Sequence, residues 1–216
     1  MSDGRIQDAY FTLMRDGEGE FSVSRSRFIC RSAPVSGEDE AFAYIEKIRK
    51  AHWAASHHVW AYALLSGGQQ YSDDGEPQGT AGLPVLELIR KEGLSDALVV
   101  VTRYFGGIKL GAGGLVRAYA HAAKTAIEAG GIIERRRHLA YHVTLEYALA
   151  DKLKKKYGKL GYTIKDALYL DQVTLNVLIL PTQKEAFHAL TAELTGGKTT
   201  PVVGEEEFLS IHKAED

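Results

Sequence analysis

The chain has 216 residues, 45% of them hydrophobic and 25% charged, which are the proportions of a globular protein with a buried core. Its 26 basic and 28 acidic residues nearly balance, which excludes binding of nucleic acid through the charge of the whole protein and leaves only local basic surfaces. Cys30 is the only cysteine, which excludes an intramolecular disulfide and favours a reducing compartment.

The N-terminal sequence MSDGRIQDAY lacks the basic start and the apolar run of a signal peptide. No apolar stretch of the chain approaches the roughly 20 residues that are needed to cross a bilayer. We therefore expect a cytoplasmic protein that has no membrane partner.

The N-terminal part of the chain predicts two β-strands, at residues 9–15 and 20–33, with a turn between them at Gly17 and Gly19. The second predicted strand has no cleanly apolar face, because serines and arginines alternate with its hydrophobic residues. This pattern is typical of an edge strand or of a strand that is covered on one side only.

A helix is predicted to begin at Ser36 and a strand at about His57. This part of the chain contains three candidate metal ligands, His52, His57 and His58. Adjacent residues of a strand face opposite sides, however, so His57 and His58 cannot easily bind one ion together. No HExxH or Cys–His pattern accompanies them. The sequence therefore favours packed or hydrogen-bonded histidines, and it predicts no metal site.

The segment SDDGEP, residues 72–77, has the composition of a loop, and we call it the acidic loop. It holds three carboxylates, those of Asp73, Asp74 and Glu76. Such a group can bind a divalent cation or act in acid–base catalysis, although the ligand spacing of an EF-hand is absent. The three carboxylates can equally neutralise Arg103, Lys109 or Arg117 in the next segment, so both interpretations stay open.

A strand predicted at residues 95–104 leads into GGIKLGAGG, residues 106–114, which we call the glycine loop, and then into a long helix. This arrangement favours an anion site, because free backbone N–H groups and the positive end of the helix dipole meet at the turn. The helix is predicted to place Arg117 in its first turn, where an anionic partner would offset the unfavourable dipole. The candidate anion- or ligand-binding residues are Arg103, Gly106, Gly107, Lys109, Gly111, Gly113, Gly114 and Arg117.

The glycine loop lacks the Gly-Lys-Ser/Thr ending of a Walker A loop and the GxGxxG spacing of a dinucleotide fold. Nucleotide hydrolysis and dehydrogenase chemistry therefore lack support, and we predict no cofactor. The glycines, together with the alanines of the following helix, also let that helix lie close to a sheet, which explains some of them without a ligand.

After Arg137 the pattern changes to the order βαββαβ, which is typical of a ferredoxin-like domain. We therefore predict two domains, residues 1–137 and 138–216. The first helix of the second domain is strongly basic, and it forms either a local nucleic-acid patch or a solvated helix face. The candidate patch residues are Lys152, Lys155, Lys156 and Lys159.

Two segments, SDDGEPQGTAGLPVL at residues 72–86 and VTRYFGGIKLGAGGLVRAY at residues 101–119, are long and unusual in composition. They resemble the two signature blocks of the IMPACT/YigZ family, and SRSRFICRSAPV and HHVWAYAL fit the N-terminal domain of the same family. The remainder of the chain is similar to the small C-terminal domain of bacterial, YigZ-like members.

The resemblance implies an α+β fold. Its N-terminal domain resembles the second domain of a ribosomal small-subunit protein, and its ferredoxin-like βαββαβ domain resembles a domain of translocation elongation factors. Eukaryotic relatives regulate translation through the pathway of the amino-acid-starvation kinase. They carry an additional N-terminal partner-binding domain, so that role is not transferred. The resemblance supplies no catalytic residues, and these stay unknown.

The leading hypothesis is a non-enzymatic protein that binds RNA or the ribosome and regulates translation. The alternative is an enzyme acting on a small phosphorylated or carboxylated ligand, with the glycine loop holding the anion and the acidic loop supplying acid–base groups or metal ligands. A third possibility is that both loops are structural and that function resides in protein contacts of the C-terminal domain. The expected partners are accordingly RNA, the ribosome or a phosphate-bearing small molecule.

Overall fold

The structure, a computed structural model, describes residues 7–211. These residues form two compact units, Tyr10–Glu134 and Arg135–Ile211, and the second unit also includes residues 7–9. Each unit combines helices with an antiparallel sheet, so the predicted α+β class is confirmed. None of the helices in residues 7–211 is both long enough and apolar enough to cross a membrane.

The first unit is built on a sheet with the strand order β2-β3-β6-β4-β5. Its central strand β6 alternates between two cores: Val99 and Val101 face α2 and α3, whereas Leu98 and Val100 face α1. Both faces of the sheet are therefore covered by helices. The elements are β1 (Ala9–Leu13), β2 (Gly17–Val23), β3 (Ser26–Pro34), α1 (Glu38–Ala51), β4 (His57–Ala63), β5 (Gln69–Ser72), α2 (Gly82–Lys91), β6 (Ala97–Tyr104) and α3 (Ala112–Gly130).

The prediction of one strand over residues 20–33 is wrong, because a tight turn at Ser24 and Arg25 divides it into β2 and β3. Both turn residues have positive φ angles, 47° and 62°, as a two-residue hairpin turn of the primed type requires. Nor is β3 an edge strand, since it pairs with β2 on one side and β6 on the other. The turn contains no glycine, and for this reason it was not predicted from the sequence.

Gly17 and Gly19 do not form the predicted turn, because both lie within β2. Gly17 instead lets α3 approach the sheet closely. A Cβ atom on Gly17 would lie 2.3 Å from the Ala126 carbonyl oxygen and 2.3 Å from the Gly130 nitrogen. Only glycine fits at such a distance between a strand and a helix.

The second unit follows the predicted order βαββαβ, with the strands arranged β10-β7-β9-β8. Residue 137, where the sequence predicts the domain boundary, lies inside β7. Large side chains such as Tyr157 and Phe187 join the inward residues of β7 and β9 in one core with α4 and α5. The elements are β7 (Ile132–Leu145), α4 (Tyr147–Lys159), β8 (Thr163–Tyr169), β9 (Val173–Ile179), α5 (Lys184–Thr195) and β10 (Val202–Ile211).

Candidate functional site

The candidate site begins with a row of residues that the strand register places side by side across four strands. Phe21 pairs with Phe28, Phe28 with Arg103, and Arg103 with His57. Residues directly opposite one another in a sheet share a face. The face of this row is the one covered by α2 and α3, so the register places a cation and an imidazole beneath two helices.

Arg103 is 4% exposed, and its charge is compensated inside the protein. Its Nη1 donates to Oε1 of Glu76 at 2.6 Å, and its Nη2 donates to Oγ of Ser26 at 3.1 Å. The guanidinium carbon lies 5.4 Å from the ring centre of Phe28 and 5.3 Å from that of Phe105. A buried cation requires such a partner, because an unpaired charge in this environment would be strongly destabilising.

Glu76 receives a second donor from helix α3. The hydroxyl of Tyr119 donates to the same Oε1 at 2.7 Å. Burial, reinforced by the Glu76 carboxylate, raises the pKa of Tyr119, so the hydroxyl stays protonated and remains a donor. Arg103 and Tyr119 thus hold one oxygen of a side chain that is itself 4% exposed.

His57 lies at the edge of this group, with its Nε2 atom 3.9 Å from Oε1 of Glu76. Its other ring nitrogen, Nδ1, is 2.8 Å from the backbone carbonyl oxygen of Asp74. A carbonyl only accepts hydrogen bonds, so Nδ1 carries the proton. In the neutral ring the lone pair therefore lies on Nε2, on the side of Glu76.

The other two carboxylates of the acidic loop point elsewhere. Asp73 accepts the backbone N–H groups of Gly79, Ala81 and Gly82 at 2.8, 3.2 and 2.8 Å, which anchors the start of α2. Asp74 accepts the backbone N–H of His58 at 2.6 Å and a guanidinium N–H of Arg49 at 3.1 Å. Both carboxylates therefore have structural roles in the fold.

The sequence predicts that Asp73, Asp74 or Glu76 neutralises Arg103, Lys109 or Arg117, and the pair of Glu76 with Arg103 confirms this. Asp73 and Asp74 instead have the partners just described. Within residues 7–211 there is no group of three or more His, Cys, Asp or Glu side chains that could hold a metal ion.

The glycine loop leads into α3 earlier than expected. The helix begins at Ala112, so Arg117 lies in its second turn and the predicted first-turn position is wrong. Gly111, with a φ of 69°, precedes the helix, no side chain caps it, and its first turn holds no acidic residue. Its N-terminal N–H groups are therefore available to an external acceptor.

Between the two loops lies a cavity of about 340 Å³. Lys109 lines it together with Arg103, whereas Arg117 lines a separate depression beside Phe21 and His121. The structure thus divides the predicted candidates between two neighbouring sites that share Leu110. The cavity is lined by His57, Glu76, Pro77, Arg103, Phe105, Lys109, Leu110, Gly111, Ala112 and Leu115.

The remaining glycines of the loop differ in their surroundings. A Cβ atom on Gly106 would lie 1.9 Å from the Arg25 carbonyl oxygen, so this glycine allows the β2–β3 turn to contact the loop. Gly107 has a φ of 86°, which favours glycine. A Cβ atom on Gly114 would lie 3.1 Å from Cβ of Leu110, whereas one on Gly113 would have no described neighbour within 4 Å.

The lysines of α4 form one face of that helix. Lys152, Lys155, Lys156 and Lys159 are exposed, and the opposite face buries Ala150, Leu153 and Tyr157. Lys154 lies apart from this group, since it contacts the hydroxyl of Tyr169. The predicted basic patch is therefore a continuous surface of the second unit.

The sequence missed three residues that contact the Glu76–Arg103 ion pair, Ser26, Phe105 and Tyr119. The clearest available indication was Tyr119, whose hydroxyl lies on the apolar face of α3 and must find a partner there. Ser26 and Phe105 could not be recognised in this way. Their roles depend on the β2–β3 turn and on the path of the glycine loop.

Comparisons with known proteins agree with this architecture. A family model described as the Impact N-terminal domain matches residues 24–127, and one described as a domain of unknown function, DUF1949, matches residues 143–198. The chain is 39% identical over 203 residues to the IMPACT family member YvyE of Bacillus subtilis, covering 93% of this chain and 94% of that protein. It is 32% identical over 188 residues to the IMPACT family member YigZ of Escherichia coli, covering 85% and 92%. A solved structure described as that of a hypothetical protein is similar with a TM-score of 0.62 and 28% identity, covering 93% of this chain and 99% of that one.

Proposed function

Because the chain belongs to the IMPACT family, we propose that it binds RNA, free or within the ribosome, and regulates translation without catalysing a reaction. The resemblance to domains of translation proteins supports this role. Fold alone does not identify a binding site, so the proposal also requires a surface with the right chemistry.

The observation that carries the proposal is a group of three exposed cations, Arg25, Lys109 and Arg117, around the glycine loop. Among the described residues, none of the three takes part in an ion pair. An exposed cation without an internal partner is available to a phosphate. We call these three residues, together with Phe105, the basic loop surface.

Local packing brings the cations to the same loop. The close contact between Gly106 and the Arg25 carbonyl oxygen fixes the β2–β3 turn against the start of the loop. Lys109 belongs to the loop itself, and Arg117 lines the depression that adjoins it through Leu110. The cations therefore flank one segment of backbone.

The loop also offers apolar surface to a base. Phe105 is 45% exposed and Ile108 is 42% exposed. An exposed aromatic ring next to cations is typical of surfaces that bind single-stranded nucleic acid. The bases stack on the ring, and the phosphates pair with the cations. We therefore expect single-stranded RNA to bind better than a duplex of the same length.

The lysine face of α4 is a second basic surface, in the other unit. Its four exposed lysines can contact successive phosphates of an RNA whatever the base sequence. They are Lys152, Lys155, Lys156 and Lys159. The net charge of −2 means that binding depends on these local surfaces and is sensitive to salt.

The proposal is tested by fluorescence anisotropy with a labelled single-stranded RNA at several salt concentrations. We expect Arg25→Ala/Lys109→Ala/Arg117→Ala to bind at least tenfold more weakly at low salt. Each phosphate contact to a single strand contributes about 0.7 to the slope of log affinity against log salt, so this slope should fall by about 2.

The matched control is Lys50→Ala/Lys91→Ala/Lys124→Ala, which removes three exposed lysines from α1, α2 and the middle of α3. It removes the same charge and should bind almost as well as the unaltered protein. Equal losses in the two triple variants would mean that only net charge matters. If the unaltered protein does not bind RNA at 50 mM salt, the proposal is wrong.

A further inference from the structure

The cavity beside the basic loop surface is lined by a carboxylate, that of Glu76, of which only one oxygen accepts hydrogen bonds from the described residues. Both donors to Glu76, Nη1 of Arg103 and the hydroxyl of Tyr119, reach the same oxygen, Oε1. Within residues 7–211, Oε2 accepts no hydrogen bond. A carboxylate shares its charge between two oxygens, so the free one is a strong acceptor in a poorly hydrated site.

The free oxygen has access to the cavity. The fully enclosed side-chain atoms that lack a partner in the described part of the chain are Arg103 Nε and Asn176 Oδ1, and Glu76 Oε2 is not one of them. Glu76 lines the cavity although its side chain is only 4% exposed. A molecule entering the cavity therefore meets two acceptors at this wall, Glu76 Oε2 and, in the neutral ring, Nε2 of His57, and an ammonium group is their best complement.

A second part of the cavity lining favours an anion. Gly111 and Ala112 line the cavity at the start of α3, where no side chain caps the helix. Lys109 also lines the cavity and is exposed. Free N–H groups, the positive end of the helix dipole and a lysine together favour a carboxylate there.

A third part of the lining is apolar. Pro77, Phe105, Leu110 and Leu115 line it, and the volume of about 340 Å³ suits a molecule of modest size. A ligand that satisfies all three regions has an ammonium group, a short aliphatic body and a carboxylate.

We propose that this cavity binds a small aliphatic amino acid, with its ammonium group on Glu76 Oε2 and its carboxylate at the start of α3. A simple anion would leave the Glu76 oxygen unmatched, and a simple amine would leave Lys109 and the helix N-terminus unmatched. This site shares Lys109 and Phe105 with the basic loop surface. Glu76 belongs to the cavity alone, and Arg25 and Arg117 do not line it, so variants at these positions separate amino acid binding from RNA binding.

Four probes of similar size test the assignment by isothermal titration calorimetry on the full chain. Leucine and 6-aminohexanoate are isomers that differ in the separation of their two charges. Hexanoate lacks the ammonium group, and hexylamine lacks the carboxylate. One of the isomers should bind at least about tenfold more tightly than either single-charge probe, because each charge-assisted hydrogen bond contributes about that factor. Which isomer binds reports the distance between the two charged parts of the lining.

If neither isomer binds, or if hexanoate binds as well as both, the assignment is wrong. The variant Glu76→Gln should weaken the binding of the preferred isomer about tenfold and leave hexanoate almost unchanged. Circular dichroism must show that this variant is folded, because Arg103 loses its charge partner.

A second variant avoids that risk. Ala112→Phe adds a ring at a position in the first turn of α3 that lines the cavity, and it removes none of the partners of Glu76. It should abolish amino acid binding and keep RNA affinity within about twofold, whereas Arg25→Ala should weaken RNA binding and keep amino acid affinity within about twofold. Undiminished amino acid binding by Ala112→Phe would place the ligand elsewhere and overturn the proposal. The control is Lys91→Ala, an exposed position on α2 that leaves the cavity intact.

Discussion

The first unit contains an ion pair inside the protein, whereas Lys165 and Glu207 of the second unit form one at its surface. In the first unit, Glu76 and Arg103 are each 4% exposed and lie under helices that cover the sheet. In the second unit, Lys165 and Glu207 also lie 2.6 Å apart, but they are 47% and 29% exposed. The two ion pairs have the same length, but breaking them should change stability by very different amounts, because solvent screens the second pair and not the first.

The largest expected effect follows from this contrast. Arg103→Ala leaves Glu76 buried without its cation and should lower the free energy of unfolding of the first unit by about 3–5 kcal/mol. Lys165→Ala should lower that of the second unit by less than about 1 kcal/mol. Urea denaturation followed by tryptophan fluorescence reports the first unit, since Trp53 and Trp60 are the only tryptophans, and circular dichroism reports both.

The double variant Glu76→Leu/Arg103→Met is the control for the first measurement. It removes both charges together, so it should be more stable than Arg103→Ala. Similar losses for Arg103→Ala and Lys165→Ala would contradict the comparison between the units.

The glycines extend the same comparison with a smaller effect. Gly106→Ala in the first unit pushes a Cβ atom onto the Arg25 backbone and should cost about 1–3 kcal/mol by displacing the turn or the loop. Gly158→Ala in α4 of the second unit meets no atom within 4 Å and should stabilise the helix by up to about 1 kcal/mol. Opposite shifts of the two urea midpoints are expected, and shifts of the same sign would contradict this account of the loop.

The smallest expected effect is a dependence of the stability of the first unit on pH. Burial lowers the pKa of His58, and the charges of Arg49 and His52 add to this shift while Asp74 opposes it. The unfolded chain therefore binds a proton more readily than the folded one, and stability falls as the pH drops below the ordinary value of 6.5.

The corresponding measurement compares urea midpoints by tryptophan fluorescence at pH 7.5 and 5.5. The loss on acidification should be about 1 kcal/mol or less from this residue, and it should shrink in His58→Asn. An unchanged loss in the variant would assign the pH dependence to other groups.

Much of the fold could be predicted from local pattern. The buried strand β6, the small-residue face of α3 and the order of elements in the second unit all follow from periodicity and glycine punctuation. The start of α3 was misplaced because Gly113 and Gly114 are poor helix formers. Close packing of α3 on the sheet, as at Gly17, supports the helix in spite of them.

The site was harder to predict because its contacts are long-range. Glu76 meets Arg103 and Tyr119 across 27 and 43 residues of chain, and no local pattern says which of three neighbouring carboxylates will do so. The choice depends on the backbone of the acidic loop, where Asp74 adopts a φ of 44° and turns its carboxylate to β4. That the two loops form one site was predictable from charge, but the pairing within it was not.

The register row that places Arg103 beside Phe28 and His57 has a consequence for how the chain folds. If β6 paired one residue out of step, every side chain on it would change face. Arg103 would then lie against the apolar residues of α1, such as Ile45 and Ile48, far from Glu76. An unpaired cation in that core would cost several kcal/mol, so misaligned sheets are strongly disfavoured. The buried ion pair thus favours the correct strand register over registers that are shifted by one residue.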